Sequence, residues 1–312
     1  MRILITGAGG FVGRALIAAL GAEHRIVAID SVPNPFVGRA IRYIEGDITN
    51  PLLLHEACQD SFDALVHLAT MPGGAAEANP AEAFAVNVRA TVDLLAYAAA
   101  GGGKKPRVLF ASSIAVFGNP LPAKVDDSTP LLPRMVYGAH KAMIEQWIAT
   151  LTRRGAIEGL SLRLPGVIAR PRGPSGMKSA FMSDLFHAAA AGERFVVPVS
   201  AQATMWLMSV ACLTRNLNHA LTMPLLPSNG DCAITLPALR ITMGALALEV
   251  ARQTGAAPGF VRFDPDEALE AGFGRQPPLE TPVAEAAGFR NDGSPERLVA
   301  SALATLNEEA RI

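Results

Sequence analysis

The short apolar run Ile3-Leu4-Ile5 leads straight into Thr6-Gly7-Ala8-Gly9-Gly10-Phe11-Val12-Gly13, and the residues from Phe11 to Leu20 then carry helical apolar spacing. A strand that becomes a helix through glycines at 7, 10 and 13 is a narrow constraint on the fold. Gly7 permits the tight turn, Gly10 lets the main chain approach a pyrophosphate, and Gly13 allows close packing of helix on strand. The helix N-terminus offers free N–H donors to phosphate oxygens. A glycine pattern alone also describes an ordinary βα turn, so the acidic residue at the end of the next strand matters. That residue is Asp30, closing Ile26-Val27-Ala28-Ile29. A carboxylate there accepts from ribose hydroxyls and repels a 2′-phosphate. Neither Ser31 nor Val32 supplies a cation to reverse the preference, and the nearby Arg39 reads as a solvated loop residue, so NAD is expected over NADP. Asp47, in Gly46-Asp47-Ile48 at the end of the third run, reads either as an acceptor for an adenine amino group or as a helix N-cap before Pro51.

Through the first half, short Val/Ile/Leu runs alternate with helical patterns: Arg25 to Ile29, Tyr43-Ile44, Ala64 to Leu68, Val108-Leu109-Phe110 and Leu160 to Leu164 are separated by Phe11 to Leu20, Pro51 to Cys58, Pro80 to Ala100 and Tyr137 to Arg153. Continuous apolar strands are what a sheet needs when helices cover both faces. The expected fold is therefore α/β, a doubly wound parallel sheet of Rossmann type. After about Pro165 the chain becomes dense in Pro, Gly and Arg, through Pro165-Gly166 to Gly173-Pro174-Ser175-Gly176. Beyond that boundary come a helix from Met177 to Ala191, strands near Phe195 to Val199, Thr204 to Met208 and Cys232 to Leu236, and helices from Ser209 to Leu221 and Thr242 to Thr254. Shorter helical segments follow at Asp264 to Ala271, Pro282 to Ala287 and Pro295 to Asn307. This predicts a dinucleotide-binding domain over 1–168 and a smaller α+β, mainly substrate-binding lobe over 169–312, with some segments returning to the first. There is no internal repeat, and the Gly101-Gly102-Gly103 loop and alanine-rich helix faces are the most biased stretches.

Half of the 312 residues are hydrophobic and 18% charged, as suits a well-buried sheet, and the formal net charge of −1 gives no footprint for nucleic acid. Cys58, Cys212 and Cys232 form no CxxC pair, so neither a zinc site nor a disulfide framework is expected, and a reducing compartment follows. His55 and Glu56 lack further ligands for a metal. With no secretory h-region and no uninterrupted apolar stretch of about 18 residues, a cytoplasmic protein is expected.

Tyr137-Gly138-Ala139-His140-Lys141 puts a phenol and an ammonium at i and i+4, on one helix face and a turn apart. A phenol of pKa about 10 is a poor base at neutral pH, and an adjacent cation lowers that value towards the working range. A YxxxK string also describes a half-exposed helix face. Ala111-Ser112-Ser113-Ile114 adds hydroxyls after the fifth strand, at the carboxyl edge where a nicotinamide ring would sit. His67 reads as a strand residue, His140 points off the tyrosine's face, and Trp206 reads as core or lobe interface.

These motifs, with His67-Leu68-Ala69 and Asn87-Val88-Arg89-Ala90-Thr91, make the chain similar to the extended short-chain dehydrogenase/reductases over nearly all of its length. The resemblance implies catalytic roles for three residues: Ser113 hydrogen-bonding the reacting oxygen, Tyr137 as acid/base, and Lys141 lowering the tyrosine pKa and holding the nicotinamide ribose. It places Asp47 and Ile48 at the adenine, Leu68, Ala69 and Thr70 beside the pyrophosphate and ribose, Asn87 on the cofactor side, and Pro165-Gly166-Val167 along the nicotinamide amide. Phe117 stands where many sugar-nucleotide epimerases of the family have tyrosine.

The second half resembles one branch, the D-erythronate dehydrogenases, through LRLPGVIARPRGPS at 162–175, FVVPVSAQATMW at 195–206 and ITLPALRITMGALALEV at 234–250, although Pro174 to Ser179 depart from the branch's pattern. The implied reaction oxidises the C2 hydroxyl of a small sugar acid to the 2-oxo acid. Substrate contacts would come from Ser112, Ser113 and Tyr137. Arg172 and Lys178 read either as ligands of the substrate carboxylate or as solvated loop charges. The alternatives are a nucleotide-sugar epimerase or dehydratase and a catalytically idle NAD-binding protein. A homodimer is expected, pairing Pro80 to Ala100 and Tyr137 to Arg153 across a two-fold axis as resembling enzymes do.

Overall fold

The computed structural model describes residues 1–36, 40–100, 105–173, 178–224, 232–257 and 259–309. Arg39, the Gly101-Gly102-Gly103 loop and Pro174 to Met177 lie outside the described residues. The chain divides into two compact units. The first comprises Met1–Gly118, Leu131–Leu164 and Thr214–Thr235; the second comprises Asn119–Pro130, Pro165–Leu213 and Leu236–Ile312.

In the first unit the order is β1 (Arg2–Thr6), α1 (Phe11–Leu20), β2 (Arg25–Asp30), β3 (Arg42–Glu45), α2 (Pro51–Ala57), β4 (Ala64–His67), α3 (Gly73–Ala78), α4 (Pro80–Phe84), α5 (Ala90–Ala100), β5 (Arg107–Ser113), α6 (Val136–Arg153) and β6 (Glu158–Leu164). Among the described residues the sheet runs Ala233–Thr235, β6, β5, β4, β1, β2, β3, with every pairing parallel. Ile3, Leu4 and Ile5 on β1 and Ala64, Leu65 and Val66 on β4 are fully buried, which is why these strands read as unbroken apolar runs. The strand order reverses between β1 and β4, and in a doubly wound sheet the carboxyl ends at such a reversal form the ligand crevice.

The run from Pro80 to Ala100, expected as one helix, is instead α4 and α5 joined by a π-helical turn at Ala85–Arg89. The wider turn coincides with Asn87, whose amide is committed to a neighbouring loop, and such bulges concentrate at functional positions. By length and composition this run could cross a membrane, but Val88, Ala90, Leu94, Leu95 and Ala98 are buried in the unit's core. Helix α3 was not legible in the sequence, because its six residues Gly73–Ala78 carry little apolar periodicity.

In the second unit Thr204–Ser209 pairs antiparallel with Leu239–Thr242 and parallel with Gly166–Ile168, and Phe195–Val197 pairs parallel with Val261–Phe263. Helices Phe181–Ala191, Met243–Thr254 and Pro295–Glu309 contribute Leu185, Phe186, Leu246, Val250 and Leu298 to its core. The helix expected from Met177 starts at Phe181, after a single tighter turn at Lys178–Ala180. Gly166–Ile168, Leu239–Thr242 and Val261–Phe263 were not expected as strands; at three or four residues each they are too short to show a period. Trp206 is 1% exposed and donates its indole N–H to the Pro277 carbonyl at 2.7 Å, which makes it a core residue of this unit.

Candidate active site

The glycine turn is closed by geometry that only glycine satisfies. Gly7 has φ of 69°, and a Cβ there would stand 2.6 Å from the Ala69 nitrogen and 2.7 Å from the Leu68 carbonyl carbon. A Cβ on Gly13 would lie 2.2 Å from the Gly7 carbonyl oxygen, so Gly13 lets the helix pack onto its own turn. Helix α1 follows Gly10 with no side-chain cap, which leaves its first N–H groups open to an anion. This bare, close-packed cradle fits a dinucleotide pyrophosphate, flanked by the half-buried Phe11 and Val12.

Asp30 stands at the carboxyl end of β2, where its Oδ2 accepts from the Gly9 N–H at 2.9 Å and its Oδ1 from the Val32 N–H at 3.2 Å. Beside it the Tyr43 hydroxyl donates to the Val32 carbonyl at 2.6 Å, and burial together with the Asp30 and Glu45 charges pushes this phenol up to about 12. Asp47 is exposed, and its Oδ1 accepts from the Thr49 N–H at 2.8 Å. The N-cap of α2 is Asn50, which accepts from the Leu52 N–H at 3.0 Å. The N-cap alternative for Asp47 therefore falls, and Ile48 is buried behind it.

Leu68, Ala69 and Thr70 leave β4 directly against Gly7. Asn87 fixes that segment: its Oδ1 accepts from the Met71 N–H at 2.7 Å and from the Thr70 hydroxyl at 3.0 Å, and its Nδ2 donates to the Met71 carbonyl at 3.0 Å. His67 is 1% exposed between the Thr6 hydroxyl, 2.6 Å from Nδ1, and the Thr91 hydroxyl, 2.8 Å from Nε2. Burial first, and then the nearby Lys141 charge, hold it down to about 3, so it is a neutral structural imidazole.

Ser113 is the last residue of β5, half-buried, and its Oγ accepts from the Ala115 N–H at 3.1 Å to cap the short turn Ile114–Phe117. Helix α6 begins at Val136, whose N–H donates to Glu77 of α3 at 2.5 Å; Met135 before it supplies no side-chain cap. A Cβ on Gly138 would lie 2.4 Å from the Ala115 carbonyl oxygen, so the first turn of α6 rests directly on the turn that follows Ser113. That contact brings Ser113 and Tyr137 into one neighbourhood. Lys141 is 3% exposed, with its Nζ 5.4 Å from the Tyr137 ring centre and 4.6 Å from the Phe110 ring centre. Burial lowers its ammonium to about 7, with the Glu145 carboxylate opposing that shift.

Ser112 corrects an expectation. Successive strand side chains alternate, and Ser112 points inward, 1% exposed, with its hydroxyl donated to Glu145. That hydroxyl is therefore not available to a substrate. Glu145 is also held by Arg163 of β6, whose Nη2 and Nε donate to it at 2.8 and 3.1 Å, and the guanidinium lies 5.3 Å from the buried Phe117 ring. This cluster was missed in the sequence. The signal was a carboxylate on the stripe shared by Tyr137, Lys141, Ile144 and Ile148.

In the second unit, Pro165 and Val167 are buried at the start of the Gly166–Ile168 strand. Arg172 is exposed and 3.6 Å from Glu193, and Lys178 is exposed, both as solvated loop charges would be. The Arg170 Nε donates to the Val167 carbonyl at 2.9 Å. Among the described residues no three His, Cys, Asp or Glu side chains converge as metal ligands.

A doubly wound sheet with a glycine cradle and a Tyr/Lys pair whose lysine is buried defines a dinucleotide-binding protein of the short-chain dehydrogenase type. The chain belongs to the NAD dependent epimerase/dehydratase family, whose model matches residues 3–211; the family is NAD(P)-dependent. It is 31% identical to the D-erythronate dehydrogenase of Haemophilus influenzae over 96% of this chain and 98% of that one. It is 30% identical to the D-erythronate dehydrogenase of Cupriavidus necator over 96% of this chain and 97% of that one. Among solved structures, a nucleoside-diphosphate-sugar epimerase from Agrobacterium tumefaciens superposes with a TM-score of 0.87 at 28% identity, covering 96% of this chain and 92% of the other.

Proposed function

We propose that this chain is an NAD-dependent dehydrogenase that oxidises the C2 hydroxyl of a small sugar acid, D-erythronate or a close analogue, to the 2-oxo acid. The observation that carries the chemistry is the buried Lys141 ammonium set against the Tyr137 ring. The substrate class is supported by the two D-erythronate dehydrogenases matched along almost the whole chain.

In this reading Lys141 favours the phenolate of Tyr137, which takes the proton of the substrate hydroxyl, and the Ser113 hydroxyl donates to the same oxygen. Bound NAD would accept the C2 hydrogen as hydride. The glycine turn would hold its pyrophosphate, with Asp30, Asp47 and Ile48 toward the adenosine and Lys141, Asn87, Pro165 and Val167 toward the nicotinamide half. Arg172 and Lys178 are the cations proposed for the substrate carboxylate.

A nucleotide-sugar epimerase is the competing reading, favoured by the similarity to the Agrobacterium tumefaciens enzyme. A panel of four- to six-carbon aldonates, scored by NADH absorbance against nucleotide sugars, separates the two. Turnover of a four-carbon aldonate should exceed that of any nucleotide sugar by about a hundredfold or more. Epimerisation of a nucleotide sugar without net NADH would displace the dehydrogenase reading.

A further inference from the structure

Tyr137, Lys141 and Glu145 follow one another at four-residue steps on α6, so they share one face of the helix. Glu145 is 2% exposed and sits at the meeting point of three elements. From β5 it receives the Ser112 hydroxyl, next in the chain to Ser113. From β6 it receives Arg163, itself 6% exposed, through both Nε and Nη2. A buried carboxylate with two anchored partners fixes geometry, since losing Arg163 leaves an uncompensated charge in the interior and losing the Ser112 hydroxyl leaves a buried acceptor one hydrogen bond short. The register that it fixes is the one between the strand end bearing Ser113 and the helix bearing Tyr137 and Lys141.

We infer that Glu145 is a positioning residue for the Tyr137–Lys141 pair, tying α6 to the ends of β5 and β6 and serving as the buried countercharge of Lys141. The inference rests on the dehydrogenase reading for its consequence in catalysis, but not for its measurement.

The charged and titratable groups around Lys141 are few. Its own helix supplies Glu145, Tyr137 and His140, and β4 supplies His67; Arg163 of β6 acts through Glu145, and the exposed Glu77 of α3 through His140. Glu82, Arg89 and Asp93, on the helical segments packed against α6, are exposed to solvent. Glu145 is thus the buried anion closest in the helix to Lys141, and Arg163 is the buried cation that competes for it.

The competition gives two variants opposite signs. Glu145→Gln removes the anion and leaves Arg163 unbalanced, and both changes disfavour the charged form of Lys141. Arg163→Gln removes the cation and frees the anion, favouring that charged form. The chain has five lysines, at 104, 105, 124, 141 and 178, so 13Cε-lysine labelling resolves each by NMR, with Lys141→Arg for assignment.

Against a native Lys141 titration near 7, the signal should move down by about one pH unit in E145Q and up by a similar amount in R163Q. E145D, which keeps the charge but withdraws it by a methylene, should fall between native and E145Q. With D-erythronate, E145Q should lower kcat at least tenfold while moving KM less than threefold, and E145D should recover part of the loss.

A Lys141 titration identical to native in whichever of the three variants remain folded overturns the inference. S112A deletes one hydroxyl from the same cluster and covers the case in which all three unfold: native kcat in S112A then overturns it. Absence of turnover on any aldonate by the native chain would instead remove the dehydrogenase reading, while the lysine titration would still report on Glu145.

Discussion

The ammonium of Lys141 lies 5.4 Å from the centre of the Tyr137 ring, inside the unit and shielded from water. A cation in that position stabilises a phenolate far more than a solvated one would, because little solvent screens it. Tyr137→Phe keeps the ring and its packing and deletes only the ionisable hydroxyl. NADH formation should fall by roughly 10²–10⁴-fold while NAD affinity stays within about threefold. Steady-state rates paired with a fluorescence titration of NAD check this, and near-native turnover would remove Tyr137 from the acid/base role.

Burying Lys141 has a thermodynamic consequence. Its pKa is lowered from 10.5 to about 7, so between those values the folded chain binds fewer protons than the unfolded one. Stability from this group is therefore fully present above pH 10.5 and is lost as pH falls through 7. Lys141→Met removes the buried charge and leaves Glu145 paired with Arg163. The variant should lose NADH formation by at least about a hundredfold, yet be more stable than native by roughly 2–4 kcal/mol at pH 6, with the gap shrinking towards pH 10. Urea melts at both pH values measure it, and a gap independent of pH would show that burial of Lys141 does not set its ionisation.

The parts of this design that follow from period and spacing were legible in the chain. The strand runs of the first half read correctly because parallel strands covered on both faces must be apolar throughout, and α1 matches its expected bounds because Gly10 and Gly21 flank a clean periodic run. The pairing of Tyr137 with Lys141 followed from helical geometry. The inward turn of Ser112 did not, since neighbouring serines on a strand are indistinguishable until one finds a buried partner such as Glu145. The π turn at Asn87 was hidden for a related reason. It coincides with hydrogen bonds of Asn87 with Thr70 and Met71, distant in sequence, and no local pattern reports them. Of the three- and four-residue strands of the second unit, Phe195–Val197 was read, but Gly166–Ile168, Leu239–Thr242 and Val261–Phe263 were too short to register a period of two.

Asp30 accepts from the Gly9 N–H at 2.9 Å, which holds its carboxylate at the edge of the glycine cradle. A carboxylate there attracts ribose hydroxyls and repels a phosphate ester at the 2′ position, and hydrogen bonds to a charged group contribute about 1.5–3 kcal/mol each. Asp30→Ala should therefore cost roughly ten- to a hundredfold in kcat/KM for NAD while lifting the repulsion against NADP, so the ratio between the two cofactors collapses towards one. Asp30→Asn, which keeps hydrogen-bonding capacity without charge, should recover part of the NAD activity but still admit NADP, because the repulsion is electrostatic. Initial rates with both cofactors for the three proteins test the assignment. A native chain that used NADP as well as NAD would show that the Asp30 charge does not decide cofactor choice.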